Sequence, residues 1–219
     1  MKKLKAVSLT AIFIAAILAL TACGSNKKTP DDAKEYVKAC LDSTYKGDTD
    51  KYAELTNSSK NEAEEMYEQA IDTTMEAANL TEENISDELL AKYRQFFKDL
   101  YKKLNYTVGE AKEDGDGGFT VVVEVKPILI FRDMQDKLNQ EIQDEVNSGK
   151  VEVTQDNMYE YVYGKMYDMA MEAMDEGLEY GDATSVTVHV TKNSDGDYAL
   201  SDSDIMAIDQ ALVAQPEIQ

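Results

Sequence analysis

The sequence predicts an α+β domain in which an antiparallel sheet of about four strands packs on several helices, cone-like, behind an N-terminal signal helix. Three observations predict it. Apolar residues recur at helical spacing through most of residues 31–104, the period switches to two at Tyr106, and two alternating runs each fold back through an Asp-Gly turn. Helical segments, not single strands, lie between those hairpins, which argues against a doubly wound parallel sheet.

The first element is a targeting segment. Lys2, Lys3 and Lys5 precede an apolar stretch from Ala6 to Leu20 broken only by Ser8 and Thr10, the charged-then-apolar order of a secretory signal. Its 15 residues fall short of the roughly 20 that a helix needs to cross a bilayer core. Leu20-Thr21-Ala22-Cys23 resembles the lipobox of bacterial lipoproteins, in which a leucine and two small residues precede the cysteine that is acylated. The resemblance implies that residues 1–22 are a cleaved signal peptide and that Cys23 carries diacylglycerol and a fatty acid such as palmitate. The lipid would then hold the protein on the extracytoplasmic face of the cell membrane, because two acyl chains anchor stably where one does not.

Residues 24–30, small and polar, read as a tether, so that 23–30 links the lipid to a single globular domain over 31–219. Loss of residues 1–22 removes three lysines and no acid, leaving 19 basic against 43 acidic residues, a formal charge of −24. Such a surface repels nucleic acid and anionic headgroups, so the membrane contact is expected through the lipid alone and no nucleic-acid partner is expected. Cys40 has no intramolecular partner once Cys23 is acylated, and it shares a helical face with Tyr36, Val37 and Thr44, as a small buried hydrophobe would. Twenty lysines against two arginines, with no tryptophan, point to an AT-rich, low-GC Gram-positive source.

Asp31 and Asp32 open a helix with acid in its first turn, Ala33, Tyr36, Val37, Cys40 and Leu41 form its stripe, and Lys46-Gly47-Asp48 ends it. A short helix carries Tyr52 and Leu55. Ser58 or Ser59 caps a longer one striped by Ala63, Met66, Tyr67, Ala70, Ile71 and Ala78, and Ser86 begins another through Leu89, Tyr93, Phe96, Phe97 and Leu100. Tyr106 and Val108 then alternate with Thr107 and Gly109, a turn follows over residues 114–118, and Phe119, Val121, Val123 and Val125 alternate on the return. Ile128 to Phe131 is apolar enough to be buried on both sides. Residues 132–148 and 155–178 are helical, Val186, Val188 and Val190 form a strand, Ser194 to Asp197 a turn, and Tyr198 and Leu200 a return strand. A helix from about Ser203 to Val213 closes the domain.

Asp195-Gly196-Asp197-Tyr198 followed by Leu200, Asp204, Ile205 and Leu212 resembles the closing strand and helix of small Gram-positive lipoproteins with a ketosteroid-isomerase-like (nuclear-transport-factor-2-like) cone. The opening helix to Leu41, then Lys46-Gly47-Asp48 and Lys51-Tyr52-Ala53, resembles them too. The resemblance implies a cone with an extra helical insert, in a group with mostly unassigned activity.

Several patterns suggest chemistry. Asn193, Asp195, Asp197 and Asp204 have the spacing of calcium-loop positions 1, 3, 5 and 12, but Tyr198 stands where the loop needs glycine and strands flank it, so a hairpin turn is expected and no metal. Asp114 and Asp116 read the same way. His189, the one histidine, alternates with threonines and reads as solvated. No GxSxG, P-loop, HExxH or CxxC motif occurs, so neither a catalytic residue nor a cofactor is expected. The most unusual segment is Met158 to Met174, where Met158, Tyr159, Tyr163, Met166, Tyr167 and Met169 are the candidate wall of an apolar pocket, lying against the concave face of the sheet. The functional expectation is a membrane-anchored binding or interaction module for an apolar small ligand or a protein partner. The alternative is an isomerase- or dehydratase-like enzyme in the same cone, which would need a carboxyl and a phenol converging with shifted pKa values. A transporter substrate-binding lipoprotein fits the anchor but not this chain's length or element order.

Overall fold

The computed structural model describes residues 28–154, 157–192 and 197–214, so the signal segment, the lipobox and Cys23 lie outside the described residues, as do Asn193 and Asp195. Helix α1 (Pro30–Leu41) is nucleated by a reciprocal cap. The Thr29 hydroxyl accepts from the Asp32 backbone N–H while the Asp32 carboxylate accepts from the Thr29 N–H, and Pro30 takes the first-turn position where no donor is missed. The helix runs on into a π turn over Asp42–Lys46 that ends at Gly47, whose φ of 69° is left-handed. A Cβ at Gly47 would also sit 2.9 Å from the Tyr67 ring, so this turn and the helix below it approach closely because the residue is glycine.

Helices α2 (Asp50–Thr56), α3 (Lys60–Ala77) and α4 (Asp87–Lys102) follow, the last two capped by Ser59 and Ser86. Strands β1 (Asn105–Glu113) and β2 (Phe119–Lys126) form the expected hairpin. Its turn is set by Asp114, whose Oδ1 accepts from the N–H groups of Asp116 and Gly118 at 2.9 Å each. Between Val108 and Ala111 the register shifts, a bulge that lengthens β1 past the alternation visible at Tyr106–Gly109. After α5 (Met134–Asn147) and α6 (Met158–Glu176), strands β3 (Thr184–Lys192) and β4 (Tyr198–Leu200) complete the sheet, and α7 (Asp202–Leu212) closes the fold.

The sheet is an antiparallel meander in the order β1-β2-β3-β4. Along β2, Phe119, Val121, Val123 and Val125 are buried while Val122, Glu124 and Lys126 face outward, so the helices cover one face only. Helix α1 packs across β1, β2 and β3, and α7 lies on β2 and β3 beside it. Helices α3 and α4 pack on each other and on the π turn, α6 packs on α4, and α5 packs on α6. The predicted fold class therefore holds: an α+β chain with four antiparallel strands and seven helices among the described residues. None of these helices is long and apolar enough to cross a membrane.

Two expectations change. The run Ile128 to Phe131 is not a strand buried on both sides. Only Ile128 is fully buried, and it bridges Tyr180 and Val213. It sits at the neck of an excursion that carries α5 and α6 away from the sheet. The neck is tied by Ile128 N–H to Leu212 O at 2.9 Å, Leu129 N–H to Glu179 O at 3.0 Å and Gly181 N–H to Pro127 O at 2.8 Å. As a result, α6 meets α4 and α5 rather than the concave face of the sheet.

Candidate functional site

Two places combine residues that could do chemistry or bind, and the second includes Met169 of the six pocket-wall candidates. The first is in the interior. Helix α7 buries Ile205, Ile208 and Leu212, and Asp209 lies on that same face, 7% exposed. The Tyr45 hydroxyl, carried by the π turn, donates to Asp209 Oδ1 at 2.5 Å. Asp209 Oδ2 is buried with no hydrogen-bond partner among the described residues. Removing a carboxylate from water costs more than one hydrogen bond returns. Burial therefore pushes the Asp209 carboxyl up to about 8, against the opposing pull of the Tyr45 bond, and pushes the Tyr45 phenol well above its usual value of 10.0.

Around this pair the turn is densely bonded. The Tyr106 ring packs on Tyr45 with centroids 5.9 Å apart, its hydroxyl donates to Asp42 Oδ1 at 2.7 Å, and the Lys46 ammonium lies 4.4 Å from the Tyr106 ring centre. Lys38 also bonds Asp42. A carboxyl and phenols thus converge, as an isomerase-like site requires, but Asp209 and Tyr45 border neither of the clefts described below. Sequence reading missed Asp209 although a signal was there: it stands four residues after Ile205 and three before Leu212, in the middle of an apolar stripe.

The Met/Tyr helix is divided among different surroundings. Tyr163 and Met166 are buried on the stripe facing α4, where Tyr163 meets the Tyr93 ring edge-on at 6.3 Å and its carbonyl accepts from the Tyr93 hydroxyl at 2.7 Å. Tyr167 packs edge-on against Tyr93 at 5.5 Å and against Phe96 at 6.4 Å. Tyr159 is 43% exposed, stacked on Tyr163, and Met158 is half-buried at the helix start. Of the six candidate wall residues Met169 borders the larger of two clefts formed by the described residues. That cleft has a volume of about 510 Å³ and lies between the start of α5, the end of α6 and the loops at the neck. A second hollow, beside Tyr36, Phe119 and Tyr198, is about 20 Å³ and holds no ligand larger than a water.

The α5–α6 hairpin is closed at its other end by Glu145, which accepts from Lys150 at 2.8 Å, from Lys165 at 2.9 Å and from the Tyr161 hydroxyl. These donors hold the Glu145 carboxyl down at about 2.

His189 is not simply solvated. Although its side chain is 49% exposed, Nδ1 lies 2.8 Å from Asp204 Oδ2, and the same oxygen accepts from the His189 backbone N–H at 2.7 Å. The contact ties the end of β3 to the first turn of α7, and it uses the carboxylate that would have been the twelfth calcium ligand. Cys40 is buried and its thiol is pushed up to about 12, in keeping with a packing role. Among the described residues no three His, Cys, Asp or Glu side chains are grouped to hold a metal ion. Thermal melting is expected to be unchanged by a chelator, and a large fall in Tm on adding EDTA, restored by Ca²⁺, would show that residues 193–204 bind an ion.

Comparison with known proteins adds a family and a fold. Residues 20–213 match the model of a family described as "Domain of unknown function (DUF5105)". Among curated proteins none matches the chain. A crystal structure of a "putative lipoprotein (ycdA)" from Bacillus subtilis subsp. subtilis str. 168 is similar in fold, with a TM-score of 0.56 and 19% sequence identity over 88% of this chain. The similar region spans 61% of that longer protein.

Proposed function

The chain belongs to the family of domain of unknown function DUF5105, and from that premise we propose that it is a lipid-anchored extracytoplasmic protein whose α+β body is a binding module. The observation that carries the reading is Leu20-Thr21-Ala22-Cys23 at the end of a short apolar run, directly ahead of a polar tether and the capped start of α1. Two further facts support it. The family match opens at Leu20, inside this motif, and the Bacillus subtilis protein of similar fold is itself described as a lipoprotein. The placement of α1 across β1, β2 and β3 supports a cone-like body.

A binding role is favoured over catalysis by where the chemistry sits. The carboxyl–phenol pair of Asp209 and Tyr45 is the one observation in favour of an isomerase-like enzyme, yet it borders neither described cleft. The larger cleft falls in the volume range of small-ligand sites. Mass spectrometry of the membrane-extracted protein is expected to find an N-terminal, diacylglyceryl-modified Cys23, and Cys23→Ala is expected to release the protein from the membrane fraction or leave it unprocessed. An intact Met1, or cleavage elsewhere with a free Cys23 thiol, overturns the anchor.

A further inference from the structure

The cleft at the open end of the α5–α6 hairpin has a chemical character beyond its size. The two helices run antiparallel, and the Glu145 clamp draws the end of α5 to the start of α6. At the opposite end Met134 of α5 is buried, and Met169 and Leu178 are half-buried beside it, so a cleft whose surface is mostly polar keeps a small thioether and aliphatic floor. The rim is different. Arg132 pairs with Asp133 at 3.6 Å and with Glu179 at 3.4 Å, Lys137 is exposed at the same edge, and Glu141 is held by Lys165 of the clamp at 3.9 Å. Glu172 and Glu176, one turn apart on α6, line the cleft and form no ion pair among the described residues. Their spacing puts both carboxylates on one helix face, with Cβ atoms about 5–6 Å apart.

We propose that this cleft binds a small organic cation, an amine or diamine carried on an apolar body. The floor excludes a bare metal ion as the preferred occupant because thioether and alkyl groups are poor partners for hard cations. The lining carries five carboxylates, Asp133, Glu141, Glu172, Glu176 and Glu179, against two cations, Arg132 and Lys137, so an anion would meet an excess of like charge that opposes binding. Methionine suits such a floor, since its flexible thioether adapts to alkyl chains of different lengths. The amine bonds the unpaired carboxylates at the rim while its chain covers Met134 and Met169. The assignment rests on the binding-module reading and names the class of ligand for it.

Titration calorimetry on the detergent-solubilised mature protein would use three probes of one chain length: hexamethylenediamine, neutral hexanediol and anionic adipate. The diamine is expected to bind and the other two are not. Glu172→Gln with Glu176→Gln is expected to weaken the diamine by about tenfold, since each exposed charge contributes modestly, with the melting temperature unchanged. Equal binding of the diol overturns the cation assignment while leaving a binding cleft. Undiminished diamine binding in the double variant places the amine elsewhere on the acidic surface and overturns the site. Absence of binding by all three overturns this site too, whereas the lipid anchor is judged separately at Cys23.

Discussion

Asp209→Asn is expected to remove most of the loss of stability that the wild-type protein suffers between about pH 4 and pH 8. The sign follows from linkage. The folded-state carboxyl is raised from its usual 3.8 to about 8, so between those values the unfolded chain has released a proton that the folded chain still holds. Stability is therefore full below about pH 4, falls as pH rises through the window, and levels off above the folded value. Each pH unit is worth up to about 1.4 kcal/mol, which puts the total at a few kcal/mol, a large share of what a domain of this size has to lose.

Asparagine keeps an acceptor for the Tyr45 hydroxyl and carries no charge at any pH. The variant should match the wild type near pH 3 and exceed it increasingly from pH 5 to pH 9 in urea denaturation. Glu145 acts in the opposite sense and in another window, because its carboxyl is held down at about 2 and contributes stability that is lost only as pH falls below its ordinary 4.5. Parallel pH curves for the two proteins would mean that Asp209 ionises normally in the fold.

The buried pair also shows what could and could not be read from the sequence. Helix and strand periods report how much of an element is covered, and here they located seven helices and both hairpins. The π turn at Asp42–Lys46 has no period of its own, since a single extra residue per turn leaves the pattern of Tyr36, Cys40 and Leu41 intact, yet it is what brings Tyr45 inward. The bulge between Val108 and Ala111 is hidden for the same reason. Periodicity does not say which element does the covering. The apolar run at Ile128 was readable as buried, but its partners, Tyr180 and Val213, are about 50 and 85 residues away in the chain, pairings fixed only by tertiary folding. Helix α6 is the largest case: its apolar circumference announced extensive burial, and the structure supplies α4 and α5 as the covering surfaces in place of the sheet. His189 and Asp204 were each singled out in the sequence for different reasons, and only the fold joins them.

Met166→Ala and Met169→Ala should separate along that division. Met166 is 7% exposed, on the buried stripe of α6 that carries Tyr163 and Ala170, and an alanine there leaves a hole in the core. Large-to-small changes in such places cost about 2–5 kcal/mol, because transfer energy is lost and the surrounding structure relaxes only partly into the space. Met169, one turn-edge away, is only half-buried and opens onto the cleft, so its truncation removes a partly solvated surface. Its expected cost is below about 1 kcal/mol, accompanied by weaker binding of hexamethylenediamine. Denaturation midpoints and calorimetry on the same pair of variants give the answer together. If Met169→Ala destabilises as much as Met166→Ala and leaves diamine binding unchanged, the floor of the cleft is closed core, and the five methionines between Met158 and Met174 serve packing alone.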